Sequence, residues 1–95
     1  MIVTTFGMYT TWLQTIASNK DLSGVDFRVL LTLLANSEGL KAEIRQAEIA
    51  QKLNLRKSHV SRAIGNLCNK GIIEKKTVAG KLIGYRIAVT EDSKA

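Results

Sequence analysis

Ser58, His59, Ser61 and Arg62 stand within five residues of one another, with Lys57 just before them. Hydroxyl, imidazole and guanidinium groups at this density suit hydrogen bonding to base edges, and a guanidinium can grip guanine through two bonds. A phosphate contact is as good a reading for Arg62, because half or more of protein–DNA hydrogen bonds go to the backbone. Catalysis has little to work with. His59 is the sole histidine and Cys68 the sole cysteine, and no acid or nucleophile is placed with His59. Without Cys or carboxylate partners at ligand spacing, a metal site is not expected. The absence of a Gly-rich phosphate loop leaves no nucleotide cofactor expected and no enzyme.

The charge gathers around the same residues. The chain carries 14 Lys+Arg against 8 Asp+Glu, a net +6. From Met1 to Ile44 the balance is −1, and from Ile87 to Ala95 it is again −1. Between Arg45 and Arg86 ten basic residues face only Glu48 and Glu74, a net +8. Concentrated positive charge of this kind is the electrostatic footprint of a partner with a phosphate backbone. Arg45, Gln46, Arg56, Lys57, Asn66, Lys75, Lys76 and Lys81 are the candidates for phosphate contacts, and double-stranded DNA is the expected partner. Ordinary solvated lysines are the plainer reading of Lys75, Lys76 and Lys81.

The elements that must position these groups follow from apolar spacing. Arg45 to Ile64 reads as two helices broken at Asn54-Leu55, the spacing of a helix-turn-helix. Ile49, Ala50 and Leu53 form the inner face of the first helix, with Ala50 small enough for a close helix crossing. The second helix is expected at about Lys57 to Asn69, with Val60, Ala63, Ile64 and Leu67 inward and Ser58, His59, Arg62, Gly65, Asn66 and Asn69 outward. Asn54 takes the turn position that usually holds Gly, and Asn tolerates a left-handed backbone best of the other residues. Gly65 costs about 1 kcal/mol in a helix relative to Ala, which close approach to DNA or to a neighbouring helix would explain. Cys68, at the edge of the inward face, reads as a small core residue.

Asn69-Lys70-Gly71 stops the second helix. Ile72 to Lys76 reads as a strand, Thr77 to Lys81 as a turn, and Leu82 to Val89 as a returning strand with Ile83, Tyr85 and Ile87 on one face. A hairpin directly after such a helix is a wing. The predicted fold is therefore mainly α with a small β-hairpin, an α+β winged helix-turn-helix forming one domain over residues 1–95. Within it, residues 45–69 hold the helix-turn-helix, 72–89 the wing and 90–95 a polar, disordered tail.

Upstream, Met1 to Thr5 reads as a frayed arm or short strand. A first helix is expected from about Met8 to Ser18, with Tyr9, Trp12, Leu13 and Ile16 on one face. Ser23-Gly24-Val25-Asp26 resembles a capping box that starts a second helix ending near Asn36. Phe27, Leu30, Leu31 and Leu34 are its expected inward residues. Ser37-Glu38-Gly39 closes it, and Ala42 to Ile44 leads into the motif as a short strand. Phe6, Tyr9, Trp12, Leu13 and Ile16 either cover the second helix or make a homodimer interface, where aromatic anchors are enriched. A two-fold pair would read a palindromic site.

No apolar run is long enough to span a bilayer, and no basic residue precedes Lys20 to mark a secretory signal. The single cysteine allows no internal disulfide, which favours a reducing compartment. The expected place is the cytoplasm of a bacterium, for a host- or phage-encoded chain associated with nucleoid or plasmid.

The segment QAEIAQKLNLRKSHVSRAIGNLCNKGIIEKK, with the later Gly-Tyr-Arg-Ile, resembles winged-helix proteins of the MarR-like type. More closely, it resembles plasmid replication proteins of the RepL type, over roughly Phe6 to Ile87. It departs from the latter in holding Arg45 and Arg56 where Ser or Thr usually caps a helix. The resemblance implies a sequence-specific double-stranded DNA-binding protein acting at an origin or operator of a plasmid or phage, working with replication or transcription machinery. The alternative is a transcriptional repressor of the MarR-like type. A winged helix used for protein interaction should lack the +8 segment.

Overall fold

The computed structural model describes the backbone of residues 2–89 and the side chains of residues 10–89. Helix α1 spans Ile2–Ala17 and α2 spans Gly24–Ala35. Strands β1 (Ser37–Glu38) and β2 (Lys41–Ala42) follow, then α3 (Gln46–Leu53), α4 (Lys57–Asn69), β3 (Ile73–Val78) and β4 (Lys81–Ile87). The four strands form one antiparallel sheet in the order β1-β2-β4-β3. This is a winged helix-turn-helix, with β3 and β4 as the wing. The expected tail, residues 90–95, lies outside the described residues.

Local chemistry sets the boundaries. Ser23 caps α2: its hydroxyl accepts the Asp26 N–H at 3.1 Å, and the Asp26 carboxylate accepts the Ser23 N–H at 3.0 Å. This is the reciprocal capping box that the sequence indicates. Helix α3 stops at Asn54, which is left-handed at φ 56°. The Leu55 N–H then donates to the Ala50 carbonyl at 2.9 Å. Helix α4 ends the same way at Gly71, φ 71°, with the Ile72 N–H donating to the Leu67 carbonyl at 3.0 Å. Both are Schellman endings, which satisfy carbonyls that a helix end would otherwise leave unpaired.

Four elements differ from expectation. Helix α1 begins at Ile2 instead of near Met8, so Ile2 to Thr5 is helical and not an arm or strand. The β-branched residues there disfavour helix by only fractions of a kcal/mol each. Extending a turn already seated gains one backbone bond per residue fixed. On α2 the fully buried residues are Asp26, Val29, Leu30 and Leu33, while Leu31 is 60% exposed and Phe27 and Leu34 are half-buried. The expected stripe is the one that turns toward α1, across an open apolar cleft of about 440 Å³ lined also by Leu13, Ile16 and Ala17. The deeper stripe sits one step round the helix, because α2 also packs against α3, α4 and β4.

Ser37-Glu38 is not merely a helix end. It pairs with Lys41-Ala42 around Gly39 and Leu40, both at positive φ. The wing turn is likewise shorter than expected. Strand β3 runs on to Val78, and Ala79-Gly80, at φ 53° and 79°, make the whole loop. Two residues with positive φ match the twist of the flanking strands. Lys76 pairs with Gly84 but Thr77 pairs with Leu82, which leaves Ile83 as an unpaired bulge residue, 39% exposed. A bulge inserts one residue and breaks the alternation, so Ile83 does not share the buried face of Tyr85 and Ile87.

One core joins these elements. Trp12 and Ile16 of α1, Val29, Leu30 and Leu33 of α2, Ile49 and Ala50 of α3, and Val60, Ala63, Ile64 and Leu67 of α4 are all buried in it. Ala42, Ile44, Ile72, Ile73, Tyr85 and Ile87 close it from the sheet side.

Candidate nucleic-acid interface

Helix α4 is seated by Val60, Ala63, Ile64 and Leu67, all at 1% exposure or less. At 3.6 residues per turn, that seat turns Ser58, Ser61, Arg62, Gly65 and Asn69 outward. Ser58, His59, Ser61 and Arg62 are exposed. A row of exposed polar groups on the second helix of a helix-turn-helix is what a major groove accepts. His59 lies on the flank of this row, about two turns before Asn66.

Arg45 and Arg56 occupy the N-cap positions of α3 and α4, and neither makes a side-chain cap hydrogen bond. Ordinary caps are Ser, Thr, Asp or Asn, whose oxygens accept the first free N–H groups. A cation there opposes the helix dipole. At α3 the first-turn Glu48 offsets Arg45, whereas the α4 N-terminus has Arg56 and Lys57 and no acid in its first turn, so it keeps donors and positive charge together, a combination that suits an anion such as a phosphate. Arg45, Arg56 and Lys57 are exposed. The wing adds exposed Lys75 and Lys81 and half-buried Lys76, which lines a small cleft with Lys41 and Tyr85.

Two residues assigned to phosphate are engaged elsewhere. Gln46 donates from Nε2 to the Tyr85 hydroxyl at 3.1 Å. Asn66 donates from Nδ2 to the Asp26 carboxylate at 2.6 Å. Both side-chain amides hold one element against another, α3 to β4 and α4 to α2. Arg28 also does positioning work, donating to the Leu53 carbonyl at 3.1 Å at the end of α3. The sequence marks Asp26 as a cap, but nothing in it marks a partner 40 residues away. Arg28 and Tyr85 carry no such signal at all.

Burial raises the thiol pKa of Cys68 above its ordinary range, and the Lys75 charge opposes that rise. Burial likewise raises the Tyr85 hydroxyl, against the opposing hydrogen bond from Gln46, with Cys68 adding to the rise. Cys68 packs against the core, as a small apolar residue would.

Of the five interface candidates, Trp12 and Ile16 are 3% and 8% exposed and are spent within the protomer, covering the core. Leu13 is half-buried at the α1–α2 cleft. The side chains of Phe6 and Tyr9 lie outside the described residues. Among the described residues no group of His, Cys, Asp and Glu could hold a metal, and no helix is long and apolar enough to cross a membrane.

Compared with known families, residues 20–81 match the model of the MarR family (MarR_2). The match runs from the approach to α2 to the first residue of β4, and so contains the helix-turn-helix and the outgoing wing strand. It lends no support to the narrower RepL likeness or to binding at a plasmid origin. No curated protein matches the chain.

Proposed function

The chain belongs to the MarR family, and from that premise we propose that it is a DNA-binding regulator of transcription. In this reading α4 enters the major groove and the two arginine-capped helix ends rest on phosphates. The wing lies along the adjacent backbone. The observation that carries it is the coincidence of an exposed polar row on α4 with an uncapped, cationic N-terminus on the same helix, next to a second uncapped arginine at the start of α3. The N-terminal arginines do not help the fold: they oppose the helix dipole, and an uncapped N-terminus forgoes about 1 kcal/mol. Both are accounted for when a polyanion completes the site.

Ser58, His59, Ser61 and Arg62 are the base-reading residues of this proposal. Arg45, Arg56, Lys57, Lys75, Lys76 and Lys81 hold the backbone. The protein acts as a homodimer on a palindrome, the arrangement that two-fold symmetry favours.

Selection of bound duplexes from a random pool at ~150 mM salt tests this, since loose electrostatic attraction is screened there. Enrichment of a palindrome is expected. Arg62→Ala should relax the preference, while Arg56→Ala should weaken all sequences alike and reduce the salt slope by about one unit. Failure to enrich any sequence would overturn the proposal.

A further inference from the structure

The apolar seat of α4 holds it by close packing, which is not directional, and a hydrogen bond to α2 adds a directional constraint on its rotation. Of the four seating residues, Ala63 offers only a methyl, and all four are aliphatic. A helix turning by 20° carries its outer side chains about 2 Å sideways, for a helix radius of 5–6 Å. Base readout tolerates far less, since hydrogen bonds weaken quickly with distance and angle.

The Asn66–Asp26 bond is a directional tie between α4 and α2. Asn66 lies one helical turn beyond Arg62, on the flank of α4 that faces α2. Its Nδ2 donates at 2.6 Å to Asp26 Oδ2. Asp26 is 5% exposed, the only buried charged residue among those described. The same oxygen accepts the Ser23 N–H at 3.0 Å, and the Ser23 hydroxyl holds the Asp26 N–H. The carboxylate is thus fixed in place by the capping box, so it is a rigid anchor and not a swinging one. A hydrogen bond to a charged acceptor is both shorter and stronger than a neutral one.

We infer that Asp26 and Asn66 are positioning residues for DNA recognition: they fix the rotation of α4 and so determine which bases Arg62 and its neighbours reach. This rests on the DNA-binding reading above. Neither residue touches DNA in this scheme. Asp26 is buried, and as an anion it would be repelled by phosphate. An effect of Asp26 on sequence preference must therefore pass through α4.

The test measures affinity of the full chain for its selected duplex and for a random duplex of equal length, across a salt series. Asn66→Ala, Asp26→Ala and the double variant are compared with the wild type, and thermal melting confirms that each is folded at the assay temperature. Each single variant should lower the ratio of the two affinities about tenfold, the discrimination of one good base contact. The salt slope should stay unchanged and the double variant should be no worse than either single. Asp26→Asn should retain the wild-type ratio, because its amide oxygen can accept both bonds. If Asp26→Ala does not fold, Asn66→Ala and Asp26→Asn still decide the matter, since both leave an acceptor for the α2 cap.

Folded variants with the wild-type ratio would overturn the inference and leave the pair a purely structural tie. Uniform loss on both duplexes for Asn66→Ala would overturn it in favour of a phosphate contact, which carries no sequence information. A wild type that binds both duplexes equally would instead overturn the DNA-reading proposal, and the inference with it.

Discussion

Gln46, the first residue of α3, donates a hydrogen bond to the hydroxyl of Tyr85 in β4 across 3.1 Å. The bond joins the first helix of the helix-turn-helix to the returning strand of the wing. Tyr85 is 1% exposed and is the largest of the fully buried side chains. Its ring packs in the core while its hydroxyl holds the start of α3, so one side chain ties the wing to the helix-turn-helix. An amphipathic side chain of this kind is retained where one end must be dry and the other bonded.

The titration of Tyr85 makes its burial measurable. Its pKa is raised, chiefly by burial, from an ordinary value of 10.0. The folded state therefore keeps its proton over a range in which the unfolded chain has lost it. Its contribution to stability is complete below that ordinary value and is lost as pH rises through the folded value. Cys68, raised from 9.0, acts with the same sign and starts lower. Urea unfolding should thus show stability falling from about pH 9 upward. Tyr85→Phe should remove the upper part of that fall relative to wild type. An identical pH profile for the two proteins would refute the assignment.

Gly84 sits where β4 passes over β2. A Cβ there would fall on the Ala42 carbonyl oxygen and lie 2.9 Å from the Glu43 Cα. Both obstacles are backbone and cannot swing aside. Gly84→Ala should cost on the order of 1–3 kcal/mol, as overpacking does, and should splay β2 from β4. Chemical denaturation reads the loss; an unchanged midpoint would show that the strands separate freely.

Ala79 holds the first position of the two-residue wing turn at φ 53°, followed by Gly80 at φ 79°. A left-handed backbone strains a residue with a Cβ, by roughly 1–2 kcal/mol for most types and less for Asn. Ala79→Asn creates the Asn-Gly pair that this turn favours most. The variant should melt higher, by an amount reflecting up to about 1 kcal/mol. A lower melting temperature would mean that the turn is of another type.

The helix-turn-helix was legible almost to the residue, because its signals are local. Ile49, Val60, Ile64 and Leu67 recur at helical spacing, and Asn54 and Gly71 mark the left-handed ends where they are found. The capping box at Ser23 and Asp26 was readable for the same reason. What escaped was set by tertiary context. Leu31 looks like a core residue, yet it lies on an open cleft because α2 has neighbours on more than one side. The bulge at Ile83 stands beside the close approach of Gly84 to Ala42, a contact between positions 42 residues apart. Asn66 and Gln46 look like polar surface groups, and their true partners, Asp26 and Tyr85, are invisible without the fold.

Gly65 offers the sharpest separation of stability from function. It lies in α4 with helical neighbours on both sides, and a Cβ added there would meet nothing within 4 Å. Packing against a neighbouring helix therefore does not require glycine. In an exposed helix interior Gly costs about 1 kcal/mol relative to Ala. Gly65→Ala should raise the melting temperature by several degrees, at about 4–8 °C per kcal/mol for a domain of this size. Its place on the outward row, three residues past Arg62 and four past Ser61, puts the bare backbone, in the proposed docking, on the face of α4 turned to the duplex. The added methyl should then weaken binding to the selected duplex about tenfold, an effect comparable to losing one base contact. Binding to random duplex, held farther off by phosphate contacts, should change little. A more stable variant with unaltered binding would show that α4 does not approach DNA at Gly65. A less stable variant would show that the residue has a packing role after all.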